Sequence, residues 1–514
     1  MAEMMVKVDP SIYRKYVVTG RNGVPHLYVK LNKALYGLLK AALLFYKKLV
    51  GELKSMGFVL NKYDPCVANR IVNGSQQTVC WHVDDLKVSH VDPEVNESFA
   101  KDIMKIYGNK VTINRGDIHD YLGIDFDFSH ANETKISMIK YLHKIIETFP
   151  EEIGKPVDAP HQDWLFKIRD DPSIQLPEEQ AQQFHHTVAQ LLFVAMRARP
   201  DIQTSVSFLT KRVQKPDEDD WNKLKRVLRY LKGTKHMKLS LRVDNLNTIC
   251  WWVDAAYGVH MDLKGHTGMM MTLGQGALMS FSRGQKLNVR SSTEAELVGI
   301  DDAIPSIMWG KHFIEDQGYT VSHNILYQDN KSTILLARNG FSSSSKRTKH
   351  IHHRYFLVKD LIDRGEVEVK YAPTDEMWSD VFTKPLMGKK WREMRAKTMN
   401  CGVNYDDEAE AKITHPDLLP KVDPIDASSL ELLKREKIIK RLKDRRKSSP
   451  IQRPAEPPPN RHRSVLGESR IAKRSRNAGP SEARSRSSSA AIQRAKDRLR
   501  NRSKAPYIRS VLRQ

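Results

Sequence analysis

Cysteine is scarce in this 514-residue chain: Cys66, Cys80, Cys250 and Cys401 are the complete set, widely scattered. No C-x-x-C pair occurs, which excludes a disulfide scaffold and a cysteine-built zinc site and suits a reducing compartment. Long apolar runs are also missing. The most apolar stretch, Ala34 to Leu49, is interrupted by Lys40, Lys47 and Lys48 and is too short and too charged to cross a bilayer. The opening MAEMMVKVDP lacks a charged-then-apolar leader, so the expected location is intracellular, in cytosol or nucleus, with no membrane partner. Ordinary shares of hydrophobic (40%) and charged (28%) residues exclude a wholly disordered protein. The length predicts about two to four domains.

What the chain has is positive charge, unevenly placed. The formal net charge is +23. From Lys434 to Gln514 there are 26 Lys and Arg against 6 Asp and Glu, a net of +20, so the first 433 residues carry only +3. That tail holds KREKIIKRLKDRRK, the proline run AEPPPN and SEARSRSSSA, with Tyr507 its one aromatic residue. Too little apolar surface is present to offset chain entropy, so the tail is expected to be disordered. Its basic blocks suit phosphates, with binding that weakens steeply in salt.

The body alternates periodicities. Apolar spacing of three and four residues predicts a helix over Leu35–Met56, stopped by Gly57. Ile71–Val72 and Thr78–Val83 read as strands joined at Asn73-Gly74-Ser75, with Leu86–His90 the next strand. Helical patterns cover about 178–213 and 219–231. Thr248–Val253 reads as a strand, and Gly268–Leu273 and Ala277–Ser282 as a hairpin. A helix is predicted from Ser292 past Trp309 with a kink at Pro305. Strands at Asn324–Gln328 and Glu366–Tyr371 then alternate with helices at Lys331–Arg338 and Tyr355–Leu361, a mixed α/β pattern around one sheet.

HVDDLK places Asp84 and Asp85 at the tip of a hairpin between two β-like runs. Adjacent carboxylates repel, divalent cations relieve the repulsion, and two metals can clamp a phosphoryl transfer. A solvated turn is the ordinary reading of such a pair on its own. Four segments in fixed order change that: KLNKALYGLLKAALLFYKKL, GFVLNKYDPCV, WHVDDLKVS and YLGIDFDFS. They resemble the reverse transcriptase of copia-type LTR retrotransposons. Downstream, Leu191-Leu192-Phe193, Arg199-Pro200-Asp201-Ile202, Trp221 and Arg229 to Thr234 resemble the same family's connection region. The resemblance runs from about residue 27 to about residue 390. It implies that Asp84 and Asp85 are polymerase carboxylates that hold metal. It also implies a third carboxylate upstream of the LYG helix. Asp9, followed by Pro10, is the only aspartate there, and Asp64 of the D-P-C segment is no substitute. The chain is therefore expected to begin after the first half of the palm and to lack polymerase activity alone, with an upstream Pol segment as a missing partner. His82 stands where the family has tyrosine.

Four further acids recur at strand ends and helix faces: Asp254 after ICWWV, Glu296 in SSTEAEL, Asp329 after ILYQ, and Asp380 in EMWSDVFTK at the start of an expected helix. Their order resembles the ribonuclease H domain that follows reverse transcriptase in these elements. The resemblance implies that Asp254, Glu296, Asp329 and Asp380 hold two Mg²⁺ ions (Mn²⁺ the alternative) and cut the RNA strand of RNA–DNA hybrids. Glu294 competes with Glu296 but lies about 200° around the helix from it, so both cannot face one site. Glu296 is preferred because it precedes Leu297-Val298. In TKHIHHRYF, Lys349 and His350 are expected to handle substrate, with Arg347 and Arg354 beside them for phosphates. Trp251, Trp252, Trp309 and Trp378 are expected in the core.

The expected fold is α/β and α+β multidomain. A partial reverse transcriptase palm occupies 1–145, a thumb and connection 146–245, a ribonuclease H-like α/β domain 246–400, and a linker with disordered basic tail 401–514. Two other readings compete with the enzyme. One is a catalytically dead remnant that only binds nucleic acid. The other is an integrase or transposase, disfavoured because the glutamate falls second in order rather than last.

Overall fold

The computed structural model describes residues 2–20, 22–27, 39–108, 111–169, 171, 174–340 and 352–405. All of them belong to one compact unit, Met1–Pro420. Lys421–Gln514, and with them the basic tail, fall outside the described residues.

Two short helices, α1 (Ala2–Val8) and α2 (Pro10–Tyr13), precede a small hairpin of β1 (Val17–Thr19) and β2 (Pro25–Leu27). Helix α3 (Leu39–Ser55) leads into an antiparallel sheet of β3 (Val59–Leu60), β4 (Val67–Val72), β5 (Ser75–His82) and β6 (Asp85–Ser89), backed by α4 (Pro93–Tyr107). Asn73 and Gly74 both take positive φ, 51° and 78°, the two-residue turn that suits strand twist. Leu49 and Leu53 of α3, Val79 and Trp81 of β5 and Phe99 of α4 fill one core.

A second antiparallel sheet has the order β7 (Ile118–Tyr121), β8 (Ile124–Asp127), β9 (Thr134–Ser137), β10 (Leu239–Val243), with a short fifth strand at Gly274–Gln275. Between β9 and β10 lie α5 (Ile139–Thr148), α6 (Glu178–Ala195), α7 (Gln203–Arg212) and α8 (Glu218–Gly233). The helical pattern over 178–213 is thus two helices and not one. Pro200 opens a 3₁₀ turn between them, and Arg199 is spent on a buried bidentate pair with Asp201 and on the Thr234 carbonyl at 2.8 Å. Strands from both sides of residues 145 and 245 share this sheet.

The third sheet runs in the order β14, β12, β11, β15, β16, once the Gly274–Gln275 strand is counted as β13. Here β11 is Thr248–Ala256, β12 His266–Thr272, β14 Met279–Gly284, β15 His323–Gln328 and β16 Glu368–Tyr371. β14, β12 and β11 are antiparallel neighbours, whereas β11, β15 and β16 are parallel. The connections use α9 (Ser292–Asp316), α10 (Lys331–Asn339) and α11 (His352–Asp363), and α12 (Gly388–Met399) closes the unit. Helix α9 is one uninterrupted helix through Pro305. It sits close on the sheet because a Cβ at Gly310 would meet the Trp251 ring at 2.9 Å. Trp251 and Trp252 are buried, and Trp378 stacks on Trp252 with centroids 4.2 Å apart. Trp309 departs from expectation. It lies on the outer face of α9, 36% exposed, stacked on Phe313 and donating to the Tyr63 carbonyl at 3.2 Å.

Candidate active site

Asp254 lies inside β11, because the strand continues to Ala256 rather than ending at Val253. Its register partner on β12 is Gly268. Glu296 occupies the second turn of α9, whose start is capped by Ser291 accepting from the Glu294 amide. Asp329 follows β15 at the neck before α10, where Asn330 accepts from the Thr333 amide. Three elements therefore converge, and one carboxylate oxygen from each of Asp254, Glu296 and Asp329 lies within 4.8 Å of the others. Asp254 and Glu296 are buried and Asp329 is half-buried. Glu294 is elsewhere: its carboxylate accepts from the Arg290 amide at 2.8 Å, before the helix begins.

Asp380 does not start an α-helix. It sits in a 3₁₀ turn, Trp378–Phe382, wedged against β12. A Cβ at Gly268 would lie 2.7 Å from Phe382 Cβ and 2.8 Å from Thr383 Cγ2, so only glycine lets this turn approach. The approach delivers two residues that the acid pattern alone does not announce. Thr383 donates its hydroxyl to Asp254. Lys384 Nζ reaches Asp254 at 3.3 Å and Asp380 at 2.7 Å. Gln328, fully buried, donates to Glu296 and to the Val253 carbonyl, each at 3.2 Å. Both Thr383 and Lys384 stand in the stretch Ser379–Leu386 that carries the fourth acid, so the signal was present in sequence.

The electrostatics follow from burial. Desolvation, then the charges of Asp254 and Asp329, raises the Glu296 carboxyl well above its ordinary range. Desolvation and Asp254 push Asp380 up to about 6, against the pull of Lys384. Lys384 is itself shifted upward, the two aspartates outweighing the cost of its burial. The donors offered are all oxygen, which fits Mg²⁺ or Mn²⁺ rather than a thiolate-seeking ion.

Asp84 and Asp85 are in a different setting. His82 pairs with Asp85, leaving Val83 and Asp84 as the two-residue turn. Val83 has φ 56°, a costly place for a β-branched side chain. Both aspartates and His82 are exposed, and the described residues bring no third carboxylate to them in a metal-sized group. Asp9 instead caps α2, accepting from the Ser11 and Ile12 amides, and Asp64 caps a local turn by accepting from the Cys66 amide. Arg347, Lys349 and His350 lie outside the described residues, and Arg354 falls in α11. Among the described residues no helix is long and apolar enough to cross a membrane.

A family profile described as reverse transcriptase (RNA-dependent DNA polymerase) matches residues 3–161. The retrovirus-related Pol polyprotein from transposon TNT 1-94 of Nicotiana tabacum is 27% identical over 376 residues, covering 72% of this chain and 28% of that protein. The Pol polyprotein from transposon RE2 of Arabidopsis thaliana is 28% identical over 364 residues, 70% of this chain and 24% of the relative. The chain thus spans about a quarter of the length of these plant relatives. The putative transposon Ty5-1 protein of Saccharomyces cerevisiae is 27% identical over 307 residues, 58% of this chain and 96% of that protein. A crystal structure of prototype foamy virus protease-reverse transcriptase aligns with 14% identity and a TM-score of 0.21, covering 74% of this chain and 43% of the other. So loose a superposition carries no argument.

Proposed function

From the premise that the chain belongs to the Pol polyproteins of copia-type retrotransposons, with a reverse transcriptase region at its N-terminal side, we propose that residues 246–400 are a ribonuclease H-like domain. Its reaction is hydrolysis of the RNA strand of an RNA–DNA hybrid. The observation that carries this reading is the convergence of Asp254, Glu296 and Asp329 from a strand, a helix and a strand end. These three would hold divalent cations, with Asp380 as the fourth acid. When bound, such cations activate water and stabilise the leaving 3′ oxygen.

The chain's own residues prepare the site. Thr383 and Gln328 fix Asp254 and Glu296 in place by donating to them. Lys384 balances part of the negative charge through Asp254 and Asp380. Lys349 and His350 are assigned to substrate handling, and Arg347, Lys349 and Arg354 to backbone phosphates, on sequence grounds. Polymerisation is not assigned to this chain alone, because Asp84 and Asp85 stand exposed with no third acid grouped beside them among the described residues. One observation favours a second reading, a remnant that binds nucleic acid without cutting it: Lys384 already occupies the space between two of the acids.

The test is a hybrid labelled on its RNA strand, incubated with the chain in Mg²⁺ or in chelator. RNA shortening only with Mg²⁺, with the DNA strand intact, supports the hydrolytic reading. Intact RNA under both conditions favours the second.

A further inference from the structure

We propose that a basic cavity between α8 and the 152–165 segment is a binding site for the sugar–phosphate backbone of a nucleic-acid strand. The cavity has a volume of about 650 Å³. Lys155, Lys223, Lys225, Arg226 and Arg229 line it together with Trp164, and among the described residues Glu152 is the one acid in its wall. Among the described residues, the one ion pair made by these five cations is Lys225 with Glu151, at 3.1 Å.

The wall is built, not incidental. Arg226 Nε donates to the His161 carbonyl at 2.9 Å and Arg229 Nε to the Lys155 carbonyl at 2.7 Å. Lys232 Nζ donates to the Gly154 carbonyl at 3.1 Å. Each guanidinium is therefore anchored by its Nε–H, and its terminal amino groups keep the fork that matches phosphate oxygens. Burial, reinforced by the charge of Arg229 and opposed by Asp158, holds Arg226 below its ordinary value. Trp164 adds an aromatic surface against which a sugar or base can lie.

The shape favours a strand over a mononucleotide. Lys225, Arg229 and Lys232 repeat at four and three residues, one stripe of about 10 Å along α8 that continues past the cavity. The same wall is tied to the candidate active site. Burial holds the His161 imidazole down to about 4, and its Nε2 lies 2.9 Å from the Leu386 carbonyl, two residues from Lys384. Thr204 of α7 donates to the Val381 carbonyl at 2.6 Å, next to Asp380. A strand seated here is held on the unit that carries the carboxylates. The choice of nucleic acid as the polyanion rests on the reading above; the cavity does not.

The experiment uses the full chain and fluorescence anisotropy of a labelled RNA–DNA hybrid across a salt series. Arg226 is kept to hold the loop, and Lys155→Gln, Lys225→Gln and Arg229→Gln are combined. Weakening by at least about tenfold, with a salt slope shallower by about two to three, is expected. The Lys155→Gln/Lys225→Gln pair touches only exposed or half-buried side chains and should lower the slope by about two, which covers a folding failure of the triple variant. Affinity and slope equal to wild type in the pair and in a folded triple variant overturn the proposal. So does AMP that displaces the hybrid at equal concentration, which makes the cavity a mononucleotide site. The basic tail is common to all samples and cancels. Asp254→Asn should bind like wild type; a wild-type chain that cuts nothing yet loses affinity in the triple variant leaves this site standing and removes the hydrolytic reading alone.

Discussion

Lys384 sets the charge balance of the carboxylate cluster. Its ammonium bridges Asp254 and Asp380 and offsets one of their two negative charges, in a setting where an unpaired buried charge is expensive. Lys384→Met should lower the melting temperature in chelator, and Mg²⁺ should restore more stability to the variant than to wild type; equal melting curves in chelator would contradict this. A pH dependence follows from Asp380, whose pKa in the fold is about 6 against an ordinary 3.8. The fold favours its protonated form, so that contribution is complete below about pH 4 and is lost as pH rises through about 6. Glu296 shifts in the same direction. The melting temperature of the metal-free wild type relative to Asp380→Asn should fall between about pH 4 and pH 6, and a difference that stays constant across that window would count against the account. Asp254, Glu296 and Asp329 were legible as an ordered set of acids because each sits at a fixed point relative to a strand or helix signal. The partnering of Lys384 was not, since periodicity does not say that a 3₁₀ turn will fold back onto the strand carrying Asp254.

At the scale of elements, the turn Trp378–Phe382 matters most, and Gly268 governs its approach. Gly268→Ala should destabilise the protein by about 1–3 kcal/mol through overpacking and weaken Mg²⁺ binding by calorimetry. A variant with wild-type stability and affinity would show that the turn need not touch β12. The hairpin carrying Asp84 and Asp85 is remote in role: Asp84→Asn should leave hybrid cleavage within about twofold of wild type. Short-range chemistry was readable here, as Asn73-Gly74 and the valine–aspartate hairpin show. The split of 178–213 was obscured because Arg199 and Asp201 look like surface charges, whereas their mutual pairing lets them be buried beside Pro200. Trp309 was misplaced for the opposite reason: a tryptophan suggests core, but its indole N–H is used at the surface against Tyr63.

For the whole molecule, the net charge of +23 conceals two regimes: a nearly neutral body and a strongly basic tail. Within the body the useful positive charge is local, gathered on α8, while the useful negative charge is gathered at the end of β11. Strand order in the three sheets was not legible, because pairing of β9 with β10 spans about a hundred residues of helix and nothing in either strand names its partner. Primer extension by the chain alone should yield no product, and Asp84-dependent incorporation would contradict that. The central claim is that Asp254, Glu296 and Asp329 form a cation-dependent hydrolytic site. Its most direct test compares the chain and its Asp254→Asn form on one labelled RNA–DNA hybrid in Mg²⁺. The account predicts RNA cleavage by the chain and a loss of at least about a hundredfold in the variant, with hybrid binding unchanged; equal rates in both would contradict it.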